Sequence, residues 1–385
     1  MEKTNIFNKI KIIADDKIPF LKGVFEPVAD IDYYSGKEIN SEIVKNADAL
    51  ITRTRTKCNE ELLDGSSIKL ITTATIGYDH IDTKYCEENN IKWFNAPGCN
   101  SGSVKQYITS ALFTIAEKEK FNLADKTIGI VGVGNVGSKI QNVAEALGMK
   151  ILLNDPPRER KEGGKNFCSL DKIKNESDII TFHVPLNKNG IDKTYQLADD
   201  LFFDQLKKKP IIVNSSRGEV VKTSSLKNAI KEGKISNVIL DVWENEPEID
   251  LELLDIVDIA TPHIAGYSAD GKANGTSVCV NAINEYFNLG LTKNWFPENV
   301  PIVKNGNEIS VNTKNKSEQN IFADIIFSTY KILEDDMRLR ISPQTFEKQR
   351  GDYPIRREFQ NYIVKNILND IELKNKLLKL GFQII

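Results

Sequence analysis

The stretch Thr127-Ile128-Gly129-Ile130-Val131-Gly132-Val133-Gly134-Asn135-Val136-Gly137 decides the fold of this 385-residue chain. Its first five residues predict a strand, which runs into a GxGxxG turn and then into the helical pattern of residues 136–147. Gly132 permits the tight turn, Gly134 lets a pyrophosphate approach the backbone, and Gly137 lets the helix pack closely on the strand. The free N–H groups of the first helical turn favour phosphate. The stretch therefore predicts a dinucleotide-binding βαβ unit.

An acidic residue follows this unit at the position that such sites require. Asp155 comes directly after the next predicted strand, residues 151–154. Its carboxylate is expected to accept hydrogen bonds from the adenosine ribose and to repel a 2′-phosphate, which favours NAD over NADP. Arg158 and Arg160 follow closely and weaken that preference. An ordinary glycine turn with a surface aspartate is the alternative, but motif, strand, helix and acid together disfavour it.

Short apolar runs alternate with helical patterns on both sides of the glycine turn. Strands are predicted at residues 10–14, 49–51, 70–73 and 91–95, then at 127–131, 151–154, 179–183, 211–214 and 238–242, with a last apolar stretch at 256–259. This alternation predicts the α/β class, with two doubly wound parallel-sheet domains. The second array carries the glycine turn and is the more regular of the two.

The domain boundaries follow from this alternation. A long helix at residues 101–121 starts the NAD-binding domain, predicted at 101–266. A helical pattern at 268–287 is expected to return the chain to the first array, so that 1–100 and 267–290 form one discontinuous substrate-binding domain. Residues 294–315 are rich in Asn, Pro and Gly and are predicted to be a linker.

The tail, residues 291–385, differs in kind from the two arrays. One predicted helix carries an apolar face formed by Ile321, Ile325, Ile326, Tyr330 and Leu333, and a second amphipathic helix spans residues 371–380. Two helices with few strands cannot bury much apolar surface alone. We therefore predict a small C-terminal α+β domain that packs on something, most simply another subunit, which makes the protein a homodimer.

Composition excludes several classes of protein. The 51 basic and 54 acidic residues give a net charge of −3, which argues against nucleic acid as the main partner. No apolar run reaches the roughly 18 residues of a membrane span, and residues 1–16 lack the apolar segment of a secretory signal, so a cytoplasmic protein is expected. The three histidines, His80, His183 and His263, lack the spacing of metal ligands, and no metal is predicted.

Three polar segments follow strands of the second array and are candidates for chemistry. Arg217 lies after the strand at 211–214, and His263 follows the stretch at 256–259. Between them, Asp241 lies at the end of the strand at 238–242, and Glu244 and Glu246 follow that strand. In doubly wound sheets ligands bind beyond the carboxyl ends of the strands, so these side chains are expected to meet there. A surface arginine and one or two solvated carboxylates are the alternatives.

These residue types suit hydride transfer from a secondary alcohol. Histidine can take the hydroxyl proton because its ordinary pKa lies near neutrality, and a carboxylate beside it fixes the tautomer and stabilises the imidazolium. Arginine binds a substrate carboxylate in bidentate fashion and polarises an adjacent carbonyl. His183 can line the cofactor cleft but suits a structural role better, and His80 is expected to satisfy a loop or a helix start.

With these residues the chain resembles the D-2-hydroxyacid dehydrogenase family. Its motifs occur in order at residues 132–137, 214–218, 241–247 and 262–267, and the more specific phrases at 96–100 and 154–157 add to the resemblance. The resemblance extends over nearly the whole chain, including Arg356-Arg357-Glu358 and the end of the tail. It implies a flavodoxin-like substrate domain, a Rossmann NAD domain and a C-terminal dimerisation domain.

The resemblance also implies roles for individual residues. Arg217, Glu246 and His263 are the implied catalytic residues, with His263 as acid/base and Glu246 orienting it. NAD is expected to be bound by Gly132, Gly134, Asn135, Val136, Gly137, Asp155, Val184, Ser215, Ser216, Arg217, Asp241 and Gly266. Thr54, Thr75, Tyr267 and Arg53 are expected to bind substrate. Val184 stands where the family usually has a threonine.

The implied reaction is NAD-dependent oxidation, at C2, of a small phosphorylated 2-hydroxy acid, 4-phospho-D-erythronate. Arg53 and Arg55 follow the strand at 49–51 and would share a face if that strand continued, so they offer charge for the phosphate. Arg356 or Arg357 could reach in from a partner subunit. Two alternatives remain: a related dehydrogenase, such as one that acts on 3-phosphoglycerate, and a non-catalytic protein that senses NAD.

Overall fold

The structure is a computed structural model that describes residues 9–303, 306–367 and 370–385. Its strands are β1 Lys11–Asp15, β2 Asp30–Tyr34, β3 Ala49–Thr52, β4 Leu70–Thr73, β5 Lys92–Phe94, β6 Thr127–Val131, β7 Lys150–Asn154, β8 Ile179–Phe182, β9 Ile211–Asn214, β10 Asn237–Leu240, β11 Ile259–Ala260, β12 Glu308–Ser310, β13 Ile363–Lys365 and β14 Gln383–Ile384. Residues 1–8 of the predicted first domain, 304–305 of the predicted linker and 368–369 of the predicted tail domain lie outside the described residues.

The helices lie between these strands for most of the chain and dominate the tail. They are α1 Ser41–Val44, α2 Glu60–Leu63, α3 Thr83–Glu88, α4 Ser101–Glu119, α5 Asn135–Ala146, α6 Pro156–Glu162, α7 Leu170–Glu176, α8 Asp200–Asp204, α9 Thr223–Lys231, α10 Leu251–Ile256, α11 Ala269–Phe287, α12 Glu318–Thr329, α13 Ile332–Ile341, α14 Phe346–Gly351 and α15 Ile371–Leu380. None of the helices in the described part of the chain has the length and apolarity needed to span a bilayer.

The chain divides into two compact units. The first unit comprises the described residues up to Asn100 together with Ser268–Pro301, and so continues past the predicted end at residue 290. The second unit comprises Ser101–Tyr267 together with the described residues of Ile302–Ile385. The tail, expected as a domain of its own, thus forms one compact unit with the NAD-binding array.

The first unit is built on a five-stranded sheet in the order β2-β1-β3-β4-β5, with every pair of strands parallel. This is the flavodoxin-like order that the resemblance implied. Ile12 and Ile13 belong to different apolar clusters, so both faces of the sheet are buried, and α11 packs on β4. Strand β2 was not predicted because its sequence, Asp-Ile-Asp-Tyr-Tyr, is polar and partly exposed at the edge.

The second unit contains a six-stranded parallel sheet in the order β11-β10-β9-β8-β6-β7. Ile179 and Ile180 point into different apolar clusters, which shows that helices cover both faces. The strand order reverses at β6, which lies between β7 and β8. The carboxyl ends of β6 and β8 therefore form the switch point at which such sheets bind ligands.

Several predicted boundaries in the second half of the chain were wrong. The apolar stretch at 256–259 is the end of helix α10, a connection and the start of β11, because Ile256 and Ile259 belong to different elements. The predicted linker at 294–315 contains strand β12. Helix α12 ends at Thr329, so Leu333 does not share a helix with Ile321 and lies exposed on α13.

The tail adds a three-stranded parallel sheet, β12-β13-β14, and packs on its own unit. Helix α12 packs on α4, where the rings of Phe322 and Phe113 lie 6.4 Å apart, and α15 packs on α5. On the edge strand β11, the Ala260 N–H donates to Asp336 of α13 at 2.7 Å. These contacts correct the expectation that the tail needs another subunit to bury its apolar faces, since α4, α5 and β11 supply the partner surface.

Candidate active site

The glycine turn after β6 has the space that a dinucleotide requires. Gly132 has a φ of +88°, and a Cβ there would lie 2.7 Å from the His183 carbonyl oxygen. A Cβ at Gly137 would lie 2.0 Å from the Gly132 oxygen, so this glycine lets α5 approach the turn. A Cβ at Gly134 would have no heavy atom within 4 Å. Gly134 is the N-cap residue of α5 and makes no side-chain hydrogen bond to the helix. Helix α5, beginning at Asn135 and Val136, thus presents its first N–H groups to an anion.

Asp155, which follows β7, fastens the glycine turn to helix α6. One carboxylate oxygen accepts the Val133 N–H at 2.8 Å and the other accepts the Arg158 N–H at 3.0 Å. The Arg158 guanidinium in turn donates to the Val133 carbonyl oxygen at 2.5 Å and pairs with Glu162. Both oxygens of the Asp155 carboxylate are thus hydrogen-bonded to backbone N–H groups of the protein. The contact of Asp155 with a ribose stays a prediction.

The three polar segments start from adjacent parallel strands, β9, β10 and β11, so they emerge at one edge of the sheet. Arg217 donates to the Ser216 carbonyl oxygen at 2.8 Å, and its own carbonyl oxygen accepts the Asn214 amide at 2.9 Å. Next to it, a Cβ at Gly218 would lie 2.0 Å from the carbonyl carbon of Trp243. The arginine segment therefore lies directly against the backbone of the Glu246 segment.

His263 and Glu246 form a hydrogen-bonded pair. His263 Nδ1 lies 2.7 Å from Glu246 Oε2, and Glu246 Oε1 accepts the Trp243 N–H at 3.0 Å. Burial alone would raise the pKa of Glu246, but the nearby His263, its hydrogen bond and the Trp243 amide together lower it below its ordinary value. An ionised Glu246 fixes the proton on Nδ1, which leaves Nε2 as the basic nitrogen of the neutral ring.

Asp241 anchors the segment that carries His263. Its side chain is 1% exposed; Oδ1 accepts the Thr261 hydroxyl and the Ile264 N–H, and Oδ2 accepts the Ala265 N–H. Burial raises the pKa of Asp241, although His263 and these donors lower it in part. His263 itself has a φ of +55°, and its N–H donates to the Asp241 carbonyl oxygen at 2.7 Å. The predicted contact of Asp241 with NAD is untested, whereas its structural role is visible.

The other predicted cofactor residues of the second unit lie around the ends of β8, β9 and β11. A Val184 methyl group lies 2.8 Å from the position of a Cβ at Gly132. Ser216 donates both its N–H and its hydroxyl to Asn214 Oδ1, whereas Ser215 Oγ is buried without a hydrogen-bond partner among the described residues. Gly266 is half-buried in the segment after His263. Next to it, Tyr267 packs edge-on against Tyr353 at 5.9 Å.

The remaining predicted substrate residues belong to the first unit. Strand β3 ends at Thr52, and residues 54 and 55 form a turn, so Arg53 and Arg55 do not continue a strand as the alternation required. Arg53 is half-buried and donates to the Lys17 carbonyl oxygen at 3.4 Å, and Thr54 is exposed. Thr75 donates to the Gly77 carbonyl oxygen at 2.9 Å.

The two other histidines have different surroundings. His183 Nε2 is hydrogen-bonded to Thr181 Oγ1 at 2.9 Å, and burial lowers its pKa to about 3. Burial also lowers the pKa of His80 to about 4, against the opposing effect of Asp79. Both are therefore neutral near pH 7. Within residues 9–303, 306–367 and 370–385, no three His, Cys, Asp or Glu side chains group as a metal site would need.

Several residues shape the site in roles that were not predicted. Trp243 is buried, and its indole N–H donates to the Thr261 carbonyl oxygen at 3.0 Å, which ties the Glu246 segment to the His263 segment. The Thr261 hydroxyl group is also hydrogen-bonded to the Tyr107 hydroxyl group, with 2.8 Å between the two oxygens. Arg356 of the tail donates to the carbonyl oxygens of Ile264 and Ala265. No local pattern links residues so distant in sequence, although Trp243 belongs to the same motif as Asp241 and Glu246, and the Arg356-Arg357-Glu358 phrase belongs to the resemblance.

Comparisons with known proteins agree with this geometry. The model of "D-isomer specific 2-hydroxyacid dehydrogenase, NAD binding domain" matches residues 104–265, and that of "Domain of unknown function (DUF3410)" matches residues 303–381. The erythronate-4-phosphate dehydrogenase of Bacteroides thetaiotaomicron is 51% identical over 361 residues, covering 93% of this chain and 100% of that protein. The chain belongs to the D-2-hydroxyacid dehydrogenase family.

Further relatives of this dehydrogenase support the same conclusion. The erythronate-4-phosphate dehydrogenase of Porphyromonas gingivalis is 43% identical, covering 92% of this chain and 95% of that protein. The solved D-lactate dehydrogenase of Aquifex aeolicus, complexed with NAD and lactic acid, has a TM-score of 0.61 and 26% identity, covering 72% of this chain and 95% of that chain. The NAD⁺-bound 3-phosphoglycerate dehydrogenase of Entamoeba histolytica also has a TM-score of 0.61 and 26% identity, covering 76% and 99%.

The dehydrogenase is NAD-dependent, and its second unit fits that cofactor. The open space at Gly134 and the uncapped start of α5 suit a pyrophosphate, and the buried Ser215 hydroxyl has a donor and acceptor to offer. The glycine turn lies at the topological switch point of the sheet, where dinucleotides bind in this fold. The prediction of an NAD-dependent α/β dehydrogenase is therefore confirmed.

Proposed function

We propose that this dehydrogenase oxidises 4-phospho-D-erythronate at C2 to (R)-3-hydroxy-2-oxo-4-phosphobutanoate, in a route to pyridoxal 5′-phosphate. The observation that carries the proposal is the 2.7 Å pair of His263 and Glu246 at the end of an NAD-binding sheet. The substrate is supported by relatives named erythronate-4-phosphate dehydrogenase, which cover more than nine-tenths of this chain. The solved 3-phosphoglycerate dehydrogenase covers only 76% of it.

His263 acts as the base in this proposal. The Glu246 carboxylate accepts a hydrogen bond from the Nδ1–H group of His263, so Nε2 takes the proton of the C2 hydroxyl group while the carbonyl C=O forms. The resulting imidazolium is stabilised by the Glu246 carboxylate, which the Trp243 N–H holds in place. In the reverse direction the protonated His263 returns this proton to the oxygen.

Arg217 binds the substrate carboxylate and polarises the oxygen at C2, so that the reacting carbon is held before the chemistry begins. When NAD is bound, it supplies the acceptor for the hydride that leaves C2. The electron pair of the C2–H bond thus leaves with the hydride, and the hydroxyl proton leaves to His263. Gly132, Gly134, Asn135, Val136, Gly137, Asp155, Val184, Ser215, Ser216, Arg217, Asp241 and Gly266 remain our proposed NAD contacts.

The substrate phosphate is proposed to bind to Arg53 of the first unit. Arg53 is half-buried and lies directly after β3, at the carboxyl end of a parallel strand, where this class of sheet places ligand contacts. Thr54 and Thr75 follow β3 and β4 and offer hydroxyl groups. Tyr267, in the second unit, is the fourth proposed substrate contact.

We further propose that the tail forms a homodimer through helix α13. Leu333, Met337 and Ile341 are 50%, 61% and 75% exposed and recur every four residues, so they form one apolar stripe on that helix. Ile332 and Leu339 of the same helix are buried in their own unit. An exposed stripe opposite a buried face suits a surface shared by two copies.

The substrate is tested by incubating the purified protein and NAD with 4-phospho-D-erythronate or 3-phosphoglycerate. A 2-oxo acid is added to reoxidise NADH, and the product is identified by mass spectrometry. We expect turnover of the four-carbon acid and its loss in His263→Ala. Turnover of 3-phosphoglycerate alone would retain the mechanism and reject the substrate. NAD binding without turnover, unaffected by His263→Ala, would favour a sensing protein.

A further inference from the structure

The segment after His263 is held from two opposite sides. The N–H groups of Ile264 and Ala265 donate to the Asp241 carboxylate at 2.7 and 2.9 Å. The carbonyl oxygens of the same two residues accept hydrogen bonds from one nitrogen of Arg356, Nη2, at 3.0 and 2.7 Å. An anion therefore binds the donors of this segment, and a cation binds its acceptors.

Arg356 is built into the protein interior. Its residue is 5% exposed, and its guanidinium lies 4.4 Å from the centre of the Tyr330 ring and 5.5 Å from that of Tyr353. The same Nη2 also donates to Ser103 Oγ at 2.5 Å, and Ser103 donates to the Ala265 carbonyl oxygen at 2.8 Å. Burying a cation costs desolvation free energy, so its remaining hydrogen bonds and ring contacts must have good geometry. The Arg356 guanidinium is therefore held in one position.

We propose that Arg356 of the tail is a positioning residue for His263, acting through the carbonyl groups of Ile264 and Ala265. This inference rests on the proposed role of His263 as the acid/base. His263 has a left-handed backbone, with φ +55°, and such a conformation persists only where its surroundings determine it. Asp241 and Arg356 hold the segment C-terminal to His263. If one of them is lost, the backbone of His263 can move and the imidazole no longer keeps one orientation.

The inference gives the tail a role in the chemistry of its own chain. Residues 303–381 match a family model described only as a domain of unknown function. The sequence suggested that Arg356 or Arg357 could reach in from a partner subunit, whereas Arg356 lies against the His263 segment of its own chain, as does Ser103. The tail thus holds the segment that carries His263 through contacts within one subunit.

The test compares Arg356→Met, Arg356→Lys and Ser103→Ala with Lys105→Met as the matched control. Lys105 is also a buried cation that donates to a tail carbonyl oxygen, that of Leu380, and its ammonium group lies 5.3 Å from the centre of the Phe359 ring, so it contacts the tail rather than the His263 segment. Each variant is measured for kcat, KM, the isotope effect of a C2-deuterated substrate, the Kd for NAD and the melting temperature. The substrate is whichever 2-hydroxy acid the wild-type protein oxidises, so a wrong substrate assignment leaves this test intact.

We expect Arg356→Met to lower kcat by about 10²-fold and to raise the isotope effect, with the Kd for NAD changed by less than about twofold. Arg356→Lys is expected to recover about tenfold of that loss, because all three hydrogen bonds come from a single nitrogen. Ser103→Ala is expected to lower kcat several-fold in the same way, and Lys105→Met to lower the melting temperature alone.

Two results would overturn the inference. One is an Arg356→Met protein whose kcat and isotope effect match the wild type. The other is an equal loss of kcat in Lys105→Met, which would show that tail docking in general is needed. If Arg356→Met does not fold, Ser103→Ala decides, because an unchanged kcat and isotope effect there contradicts the proposal. Activity that survives in His263→Ala would instead reject the proposed mechanism.

Discussion

Nδ1 of His263 lies 2.7 Å from Oε2 of Glu246, although 17 residues separate the two in sequence. The other oxygen of Glu246 is held by the Trp243 N–H at 3.0 Å, and the Trp243 indole holds the Thr261 carbonyl oxygen. Trp243 therefore holds both the Glu246 side chain and the segment that carries His263. This arrangement prepares one tautomer of the imidazole before any substrate binds.

The first prediction concerns the charge of Glu246. Glu246→Gln keeps the shape of the side chain but removes the anion that stabilises the imidazolium, so kcat is expected to fall by about 10²–10⁴-fold. The Kd for NAD should change little. Steady-state kinetics with NAD titrations check this, and Glu244→Gln, which changes a neighbouring carboxylate bonded to the Thr223 N–H, is the control. Full activity in Glu246→Gln would contradict the role assigned to the pair.

The second prediction concerns stability and pH. The pKa of Glu246 is lowered in the fold, so its ionised form stabilises the protein above the ordinary carboxyl pKa. That contribution disappears as the pH falls through the lowered value. The free energy of unfolding of the wild type relative to Glu246→Gln should therefore decrease between about pH 6 and about pH 3.

Asp241 provides the control of opposite sign. Burial raises its pKa, so its neutral form is favoured in the fold at low pH and that contribution is lost as the pH rises through the raised value. The wild type relative to Asp241→Asn should therefore gain stability as the pH falls over the same range. Urea denaturation at several pH values measures both slopes, and slopes of equal sign would contradict the assignment.

The third prediction distinguishes the glycine that leaves room for the cofactor from the glycine that lets α5 pack on the turn. A Cβ at Gly134 meets open space, so Gly134→Ala should fold with a near-normal melting temperature but raise the Kd for NAD. A Cβ at Gly137 would lie 2.0 Å from the Gly132 oxygen, so Gly137→Ala should cost about 1–3 kcal/mol of stability. Calorimetry and NAD titration distinguish the two, and equal melting temperatures would contradict the structure.

The fourth prediction concerns the substrate phosphate. Arg53→Ala should raise KM for the phosphorylated substrate by about 10- to 100-fold, because a charge-assisted contact to the phosphate is lost. KM for an unphosphorylated 2-hydroxy acid should change by less than about twofold. Arg55→Ala, in the exposed turn two residues later, is the comparison variant. Equal effects of Arg53→Ala on both substrates would exclude phosphate binding as its role.

The fifth prediction concerns self-association. Met337→Glu places a charge in the middle of the exposed stripe of α13 and is expected to convert a dimer into a monomer in sedimentation velocity. Ile191→Glu changes an even more exposed apolar side chain outside the tail and should leave the dimer intact. A wild-type protein that sediments as a monomer would reject the proposal outright.

The strands of the two arrays were largely predictable because parallel strands buried on both faces are short continuous apolar runs. Residues 70–73, 127–131 and 211–214 were predicted with the bounds that the structure has. Strand β2 was missed because an edge strand needs little apolar character, and β12 because a three-residue strand gives almost no periodic signal. In both cases hydrogen bonds to a distant strand decide the conformation.

The sequence by itself determined the α/β class and the glycine turn with its acid, and it was enough to propose Arg217, Glu246 and His263 as the catalytic trio, because strand patterns and strand ends are local features. It left open how the trio is held. The contact of Gly218 with Trp243, the double anchoring of the His263 segment by Asp241 and Arg356, and the packing of the tail on α4 and α5 were decided only by the tertiary structure. They join groups that lie between 24 and 245 residues apart in the sequence. No local preference encodes which distant donor, acceptor or apolar face becomes the partner when the chain packs.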